Sequence, residues 1–155
     1  MLSLITDRTS IDASEINSIK INIYSRGWTA ISTLDQTTFI SGKGQYTPDD
    51  LNRVGSAINT LSTLLNGYGY GVSATGKTDW VRDDIPNMSS IGTYLSDVSA
   101  IKTVFYGTTD LPSITASFTY TDANNIEALL LEVEENINNM VSAFWYCGEI
   151  RSGER

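Results

Sequence analysis

An all-α fold, a helical bundle of about four main helices, is what this sequence predicts, and three observations predict it. A nine-residue pattern occurs twice: Tyr46-Thr47-Pro48-Asp49-Asp50-Leu51-Asn52-Arg53-Val54 returns 72 positions later as Phe118-Thr119-Tyr120-Thr121-Asp122-Ala123-Asn124-Asn125-Ile126. Thr three residues ahead of an acid, just before an apolar run, marks a helix start. The hydroxyl accepts from the third helical amide, and the acid accepts from the cap amide or sits on the positive helix end. This assigns helix caps to Thr47, Asp50, Thr119 and Asp122, and the aromatic before each Thr is placed to staple the entry. The second observation is apolar spacing of three and four residues after each copy. The third is punctuation by Gly, Pro and Asn between the stripes.

Taken in order, residues 1–9 read as a lead-in. Over residues 12–25 two periods compete. Ile16, Ile19 and Ile23 share a helical face, while Ile19, Ile21 and Ile23 alternate with Lys20, Asn22 and Tyr24 as in a strand. Helix is preferred because every later element is helical, and Gly27 is its natural C-cap. Thr33 to Ile40, carrying Leu34 and Phe39, is a short helix. Pro48 suits a first helical position, and Leu51, Val54, Ile58, Leu61 and Leu65 form the stripe of the next helix, closed by Asn66-Gly67. A Gly/Tyr loop then runs to about Pro86. The following helix starts near Asn87 with Met88, Ile91, Leu95, Val98, Ile101 and Phe105 inward. Ile126, Leu130, Val133, Ile137, Met140 and Phe144 define the last, which ends at about Trp145 with Glu132, Glu134, Glu135 and Asn138 on its solvated side.

With 41% apolar and 18% charged residues the chain is globular rather than disordered. Its size suits one helical domain, residues 1–147, followed by a polar tail, 148–155. A net charge of −8 with scattered basic residues argues against nucleic acid as a partner. No histidine is present, which removes the commonest general base, the usual metal ligand and any Ser-His or Cys-His pair. The single Cys147 allows no internal disulfide and reads as a small hydrophobe near a helix end. The first residues have the features of neither a signal peptide nor a membrane span.

Signals for chemistry are sparse. Gly71-Val72-Ser73-Ala74-Thr75-Gly76-Lys77-Thr78 fits the phosphate-loop formula, but a true site needs a strand before it and a helix after it. Here a helix precedes it, and Pro86 follows too soon, so P-loop-like nucleotide binding at 71–78 is a remote alternative to a Gly-rich connection. The carboxylates do not pair across a recognisable cleft or follow calcium-loop spacing. No catalytic residue, metal ligand or cofactor is therefore assigned, and the chain is read as a non-enzyme. Aromatics gather at loops and helix ends. Tyr68, Tyr70, Trp80 and Trp145 are the candidate interaction residues, as contacts to a protein, a receptor or a sugar. Asn52 and Asn124 hold equivalent first-turn positions, where local backbone bonding that fixes the preceding loop is expected.

Several stretches together resemble a module of structural proteins of tailed phages and prophages of Gram-positive bacteria. They are Leu4-Ile5-Thr6-Asp7-Arg8-Thr9, Tyr46 to Gly55, Lys77-Thr78-Asp79-Trp80 with Asp84-Ile85-Pro86, Leu95-Ser96-Asp97-Val98, Ala123-Asn124-Asn125-Ile126-Glu127, and Tyr146-Cys147-Gly148-Glu149-Ile150. The likeness spans nearly the whole chain. It implies a tail, baseplate or fibre component of a virion, assembled in the bacterial host cytoplasm. Other virion proteins would be its partners, homo-oligomerisation is expected, and no membrane is involved. The sequence departs from that module in carrying Gly55 where Glu is typical and Cys147 where Ser is frequent. The alternative is a receptor- or carbohydrate-binding module using the loop aromatics.

Overall fold

Three capping boxes, not two, organise the chain. In each, a Thr hydroxyl accepts from the amide of an Asp three residues on, and that Asp carboxylate accepts from the Thr amide: Thr9 with Asp12, Thr47 with Asp50, Thr119 with Asp122. The computed structural model describes residues 1–84, 88–105, 109–111 and 118–148, without the side chains of 88 and 144–148. The boxes open α1 (Ser10–Arg26), α3 (Pro48–Gly67) and α5 (Tyr120–Gly148). A shorter helix, α2 (Thr33–Ser41), starts at Ser32, whose hydroxyl accepts from Asp35, and α4 spans Met88–Val104. The chain is thus all-helical among the described residues, with four long helices and one short one.

Residues 12–25 are helix. Thr9 caps the segment, and Ile16 and Ile19 turn inward while Ile21 stays 67% exposed, so the alternation of isoleucines carries no strand. Gly27, at φ 88°, ends α1 in a conformation that favours glycine. A turn of 3-10 helix, Trp28–Ala30, leads to α2, and Trp28 meets Phe39 edge to face at 5.9 Å. α1 and α2 pack on each other as a hairpin, whereas α3, α4 and α5 pack pairwise. The main core is therefore a three-helix bundle: Val54, Ile58, Leu61 and Leu65 of α3, Val98 and Ile101 of α4, and Ile126, Leu129, Leu130 and Val133 of α5. Each Leu-sized side chain there contributes about 1.5–3 kcal/mol by burial.

Two expectations need correction. α5 continues past Trp145 to Gly148, the first residue assigned to the tail, and Gly is a common stop signal. Residues 149–155 lie outside the described residues. The acidic side of α5 is not simply solvated. Glu132 accepts from the Thr109 amide at 3.2 Å, and Glu134 accepts from the Leu2 amide at 2.9 Å. Tyr46 and Phe118, the aromatics that precede two of the caps, meet each other at 5.1 Å between ring centroids and so link the entries of α3 and α5.

Candidate functional site

The polar architecture is built on clamps that hold extended backbone against helices. Asn52, Asn59 and Asn66 recur every seven residues, two turns, and so share one face of α3. Each side-chain amide grips a single distant residue twice, accepting from its N–H and donating to its C=O. Asn52 holds Trp80 (2.7 and 2.9 Å), Asn59 holds Gly76 (2.9 and 2.9 Å) and Asn66 holds Val72 (2.6 and 2.9 Å). Segment 72–80 thereby runs antiparallel to α3, with every fourth residue held through both of its backbone polar groups. Contact is close: a Cβ on Gly55 would lie 2.0 Å from the Lys77 carbonyl oxygen, and one on Gly76 would lie 2.2 Å from that of Gly55.

The second helix of the repeated pattern does the same to the N-terminal arm. Asn124, equivalent to Asn52, accepts from the Arg8 N–H at 3.2 Å and donates to its C=O at 2.8 Å. Glu127, equivalent to Gly55, accepts from the Ile5 amide at 2.6 Å, and Glu134 takes Leu2. Asn52 and Asn124 thus bind segments 28 and 116 residues away rather than their own preceding loops. A side-chain amide carries one acceptor and one donor group in the spacing of a peptide unit, which explains the preference for remote main chain.

The arm also delivers a cation into the interior. Arg8, 4% exposed, donates through Nη2 to Asp50 at 2.9 Å and Glu127 at 2.7 Å, and through Nη1 to the Ile5 carbonyl at 2.6 Å. Arg53 donates to the same two carboxylates, reaching Glu127 at 3.0 and 3.2 Å. Two positive and two negative groups therefore neutralise one another where a lone charge would be costly. Asp50 divides its labour: Oδ2 closes the Thr47 cap while Oδ1 meets both arginines. Burial alone would raise its pKa. The Thr47 amide and Arg53 outweigh burial, and the carboxyl titrates below the usual range. Burial likewise opposes the charge on Arg53, but Glu127 and Asp50 hold its pKa above the ordinary value. Beside the cluster, Arg8 lies 5.4 Å over the Tyr46 ring, and the hydroxyls of Tyr46 and Tyr94 hydrogen-bond to each other. Burial pushes both phenols up.

Trp80 separates two clefts. One, of about 370 Å³, is bounded by Lys77, Asp84, Thr93, Tyr94 and Asp97; the other, of about 230 Å³, by Phe39, Thr47, Pro48 and Arg82. Burial raises the Asp97 pKa against the opposing Thr75 amide. The indole N–H of Trp80 is buried and has no partner among the described residues.

The sequence-assigned residues do not converge. Thr47 and Asp50 adjoin the charge cluster, whereas the Thr119–Asp122 box is exposed. Tyr68 and Tyr70 sit just past the C-terminal end of α3, where Tyr70 packs edge-on against Phe105 and donates to the Met140 sulfur. Trp80 lies at the other end, opposite Asn52, and Asn52 and Asn66 are separated by about 21 Å of helix. Trp80 is also 8% exposed, with Lys77 Nζ 4.5 Å over its ring, so it offers no open stacking face. The Trp145 side chain lies outside the described residues. Segment 71–78 has no regular secondary structure and opens no helix. Its amides at Val72, Thr75 and Gly76 are committed to Asn66, Asp97 and Asn59, and Lys77 pairs with Asp79 and Asp84. No group of acids among the described residues is arranged to hold a metal, and no described helix is long and apolar enough to cross a membrane.

Arg8, Glu127 and Asn59 were not given a role from sequence, and Asn66 was read only as a helix stop. The seven-residue asparagine spacing and the third Thr-x-x-Asp, at Thr9–Asp12, were legible signals. The Arg8–Glu127 pairing, across 119 residues, was not. No protein-family model matches this sequence, and comparison with curated proteins and with solved structures returns no match.

Proposed function

We propose that this chain is a structural module of a tailed-phage virion, a tail, baseplate or fibre component, which works by protein–protein contact between copies. The observation that carries this reading is the α1–α2 hairpin. Ile11 (77% exposed), Ile21 (67%), Tyr24 (89%) and Leu34 (75%) all stand on it, with Ile40 beside them. Single exposed apolar residues are ordinary, but a concentration of large ones on one pair of helices marks an association surface. Repeated components of closed assemblies associate symmetrically, so a second copy is the natural occupant. Resemblance adds support of a different kind. The stretches that resemble the phage module include Arg8, Asp50, Arg53, Asn124 and Glu127, which join the arm to α3 and α5.

Light scattering on the purified chain tests the reading. A discrete oligomer that dissociates in Ile21→Asp is the expected result. A strict monomer that also ignores other tail proteins would overturn it.

A further inference from the structure

The clamp at the C-terminal end of α3 falls on the one Asn-Gly pair in the sequence, Asn66-Gly67. In an unfolded chain such a pair is chemically labile. Glycine has no Cβ to hinder its backbone nitrogen, which reaches the side-chain carbon Cγ of the asparagine before it. Here both partners are engaged. Asn66 Oδ1 accepts from the Val72 N–H at 2.6 Å, and Nδ2 donates to the Val72 carbonyl at 2.9 Å. Gly67 is the last residue of α3, so its nitrogen is held in the helical ladder. Both residues are exposed, so water has access to them. Val72, by contrast, is buried and belongs to the main core.

We propose that Asn66 is a latent deamidation site, guarded by its clamp on Val72, and that its reaction permanently unlatches the start of segment 72–80. When the clamp and the last turn of α3 open, the Gly67 nitrogen attacks Asn66 Cγ. The N–Cγ bond forms, the Cγ–Nδ2 bond breaks, and ammonia leaves with the proton of the Gly67 N–H. Water then opens the cyclic imide at either carbonyl, giving aspartate or isoaspartate. Water is the only co-reactant. An ionised carboxylate accepts and cannot donate, so the Val72 carbonyl loses its partner and faces a negative oxygen instead. The new charge also sits at the negative end of α3. Isoaspartate in addition puts a methylene into the main chain, which breaks the helical register there. This inference concerns a covalent change and is independent of the virion reading.

The test incubates the full chain at mildly alkaline pH and follows ammonia loss by mass spectrometry of the peptide containing Asn66. The folded chain is expected to react at least about tenfold more slowly than the same chain unfolded in urea, as even one hydrogen bond of ordinary strength provides. This comparison needs no variant. Val72→Pro, which lacks the N–H, should react faster than Val72→Ala, which keeps it and also loses side-chain packing. Asn66→Asp, the simpler product, should exchange the amides of residues 72–76 faster than the unmodified chain, with the amides of α5 unchanged. No reaction at Asn66 even in urea would overturn the site. Equal rates folded and unfolded, or equal rates in Val72→Pro and Val72→Ala, would overturn the guard. Unaltered exchange over 72–76 in Asn66→Asp would overturn the unlatching.

Discussion

At the residue scale, the two repeated caps look interchangeable in sequence and are not. Asp122 caps in solvent; Asp50 caps and also anchors two arginines. Asp50→Asn should therefore cost about 3–5 kcal/mol, the range for breaking a buried pair, whereas Asp122→Asn should cost about 1 kcal/mol or less. Urea denaturation of the two variants measures the gap, and equal costs would refute the double role. Arg8→Ala belongs with Asp50, because it leaves Glu127 short of a partner in the interior. Acid sensitivity follows from the same carboxylate. Its folded pKa lies below the ordinary value, so its contribution is fully present above that ordinary value and fades as pH falls through the lowered one. Stability should drop below about pH 4, and Asp50→Asn should flatten that limb. Asp7, Asp12 and Asp79 are lowered too, yet they lie at the surface, and solvent screens their share.

At the element scale, the helices were readable because caps and stripes are local. Thr47–Asp50 and Thr119–Asp122 lie within one turn, and all five assigned core positions of α3 are buried. The strand-like alternation at Ile19, Ile21 and Ile23 yields to helix by analogy with the later elements, and the local signal for that helix is the cap at Thr9. What the asparagines grip was not readable, because a side-chain amide pairs with any main chain brought near it, and proximity is a tertiary matter. The clamps make a definite forecast. Asn59→Ala removes both bonds to Gly76 and should cost about 1–3 kcal/mol. Gly55→Ala forces its new methyl against the Lys77 carbonyl and should cost at least as much as the 1–3 kcal/mol typical of overpacking. A larger side chain there would require segment 72–80 to lift from α3. Thermal melts of both variants, with hydrogen exchange at Gly76, separate loss of the clamp from global unfolding.

At the scale of the whole molecule, stability and association are carried by different parts. The bundle of α3, α4 and α5 holds its core without the exposed faces of α1 and α2, so surface changes on the hairpin should leave melting almost untouched. Ile21 and Tyr24 are the cleanest probes, since both are largely exposed and lie away from Ile16 and Ile19, the buried side of α1. Ile21→Asp with Tyr24→Asp should change stability by less than about 0.5 kcal/mol per site, the usual range for surface positions. The same pair should weaken self-association severely, because a buried unpaired carboxylate at a contact opposes binding. Sedimentation of the wild-type and doubly substituted chains, alongside their melting curves, tests both halves. Loss of assembly at constant melting temperature locates the contact on the hairpin. If melting falls together with assembly, these side chains belong to the fold; if neither changes, copies meet through another face.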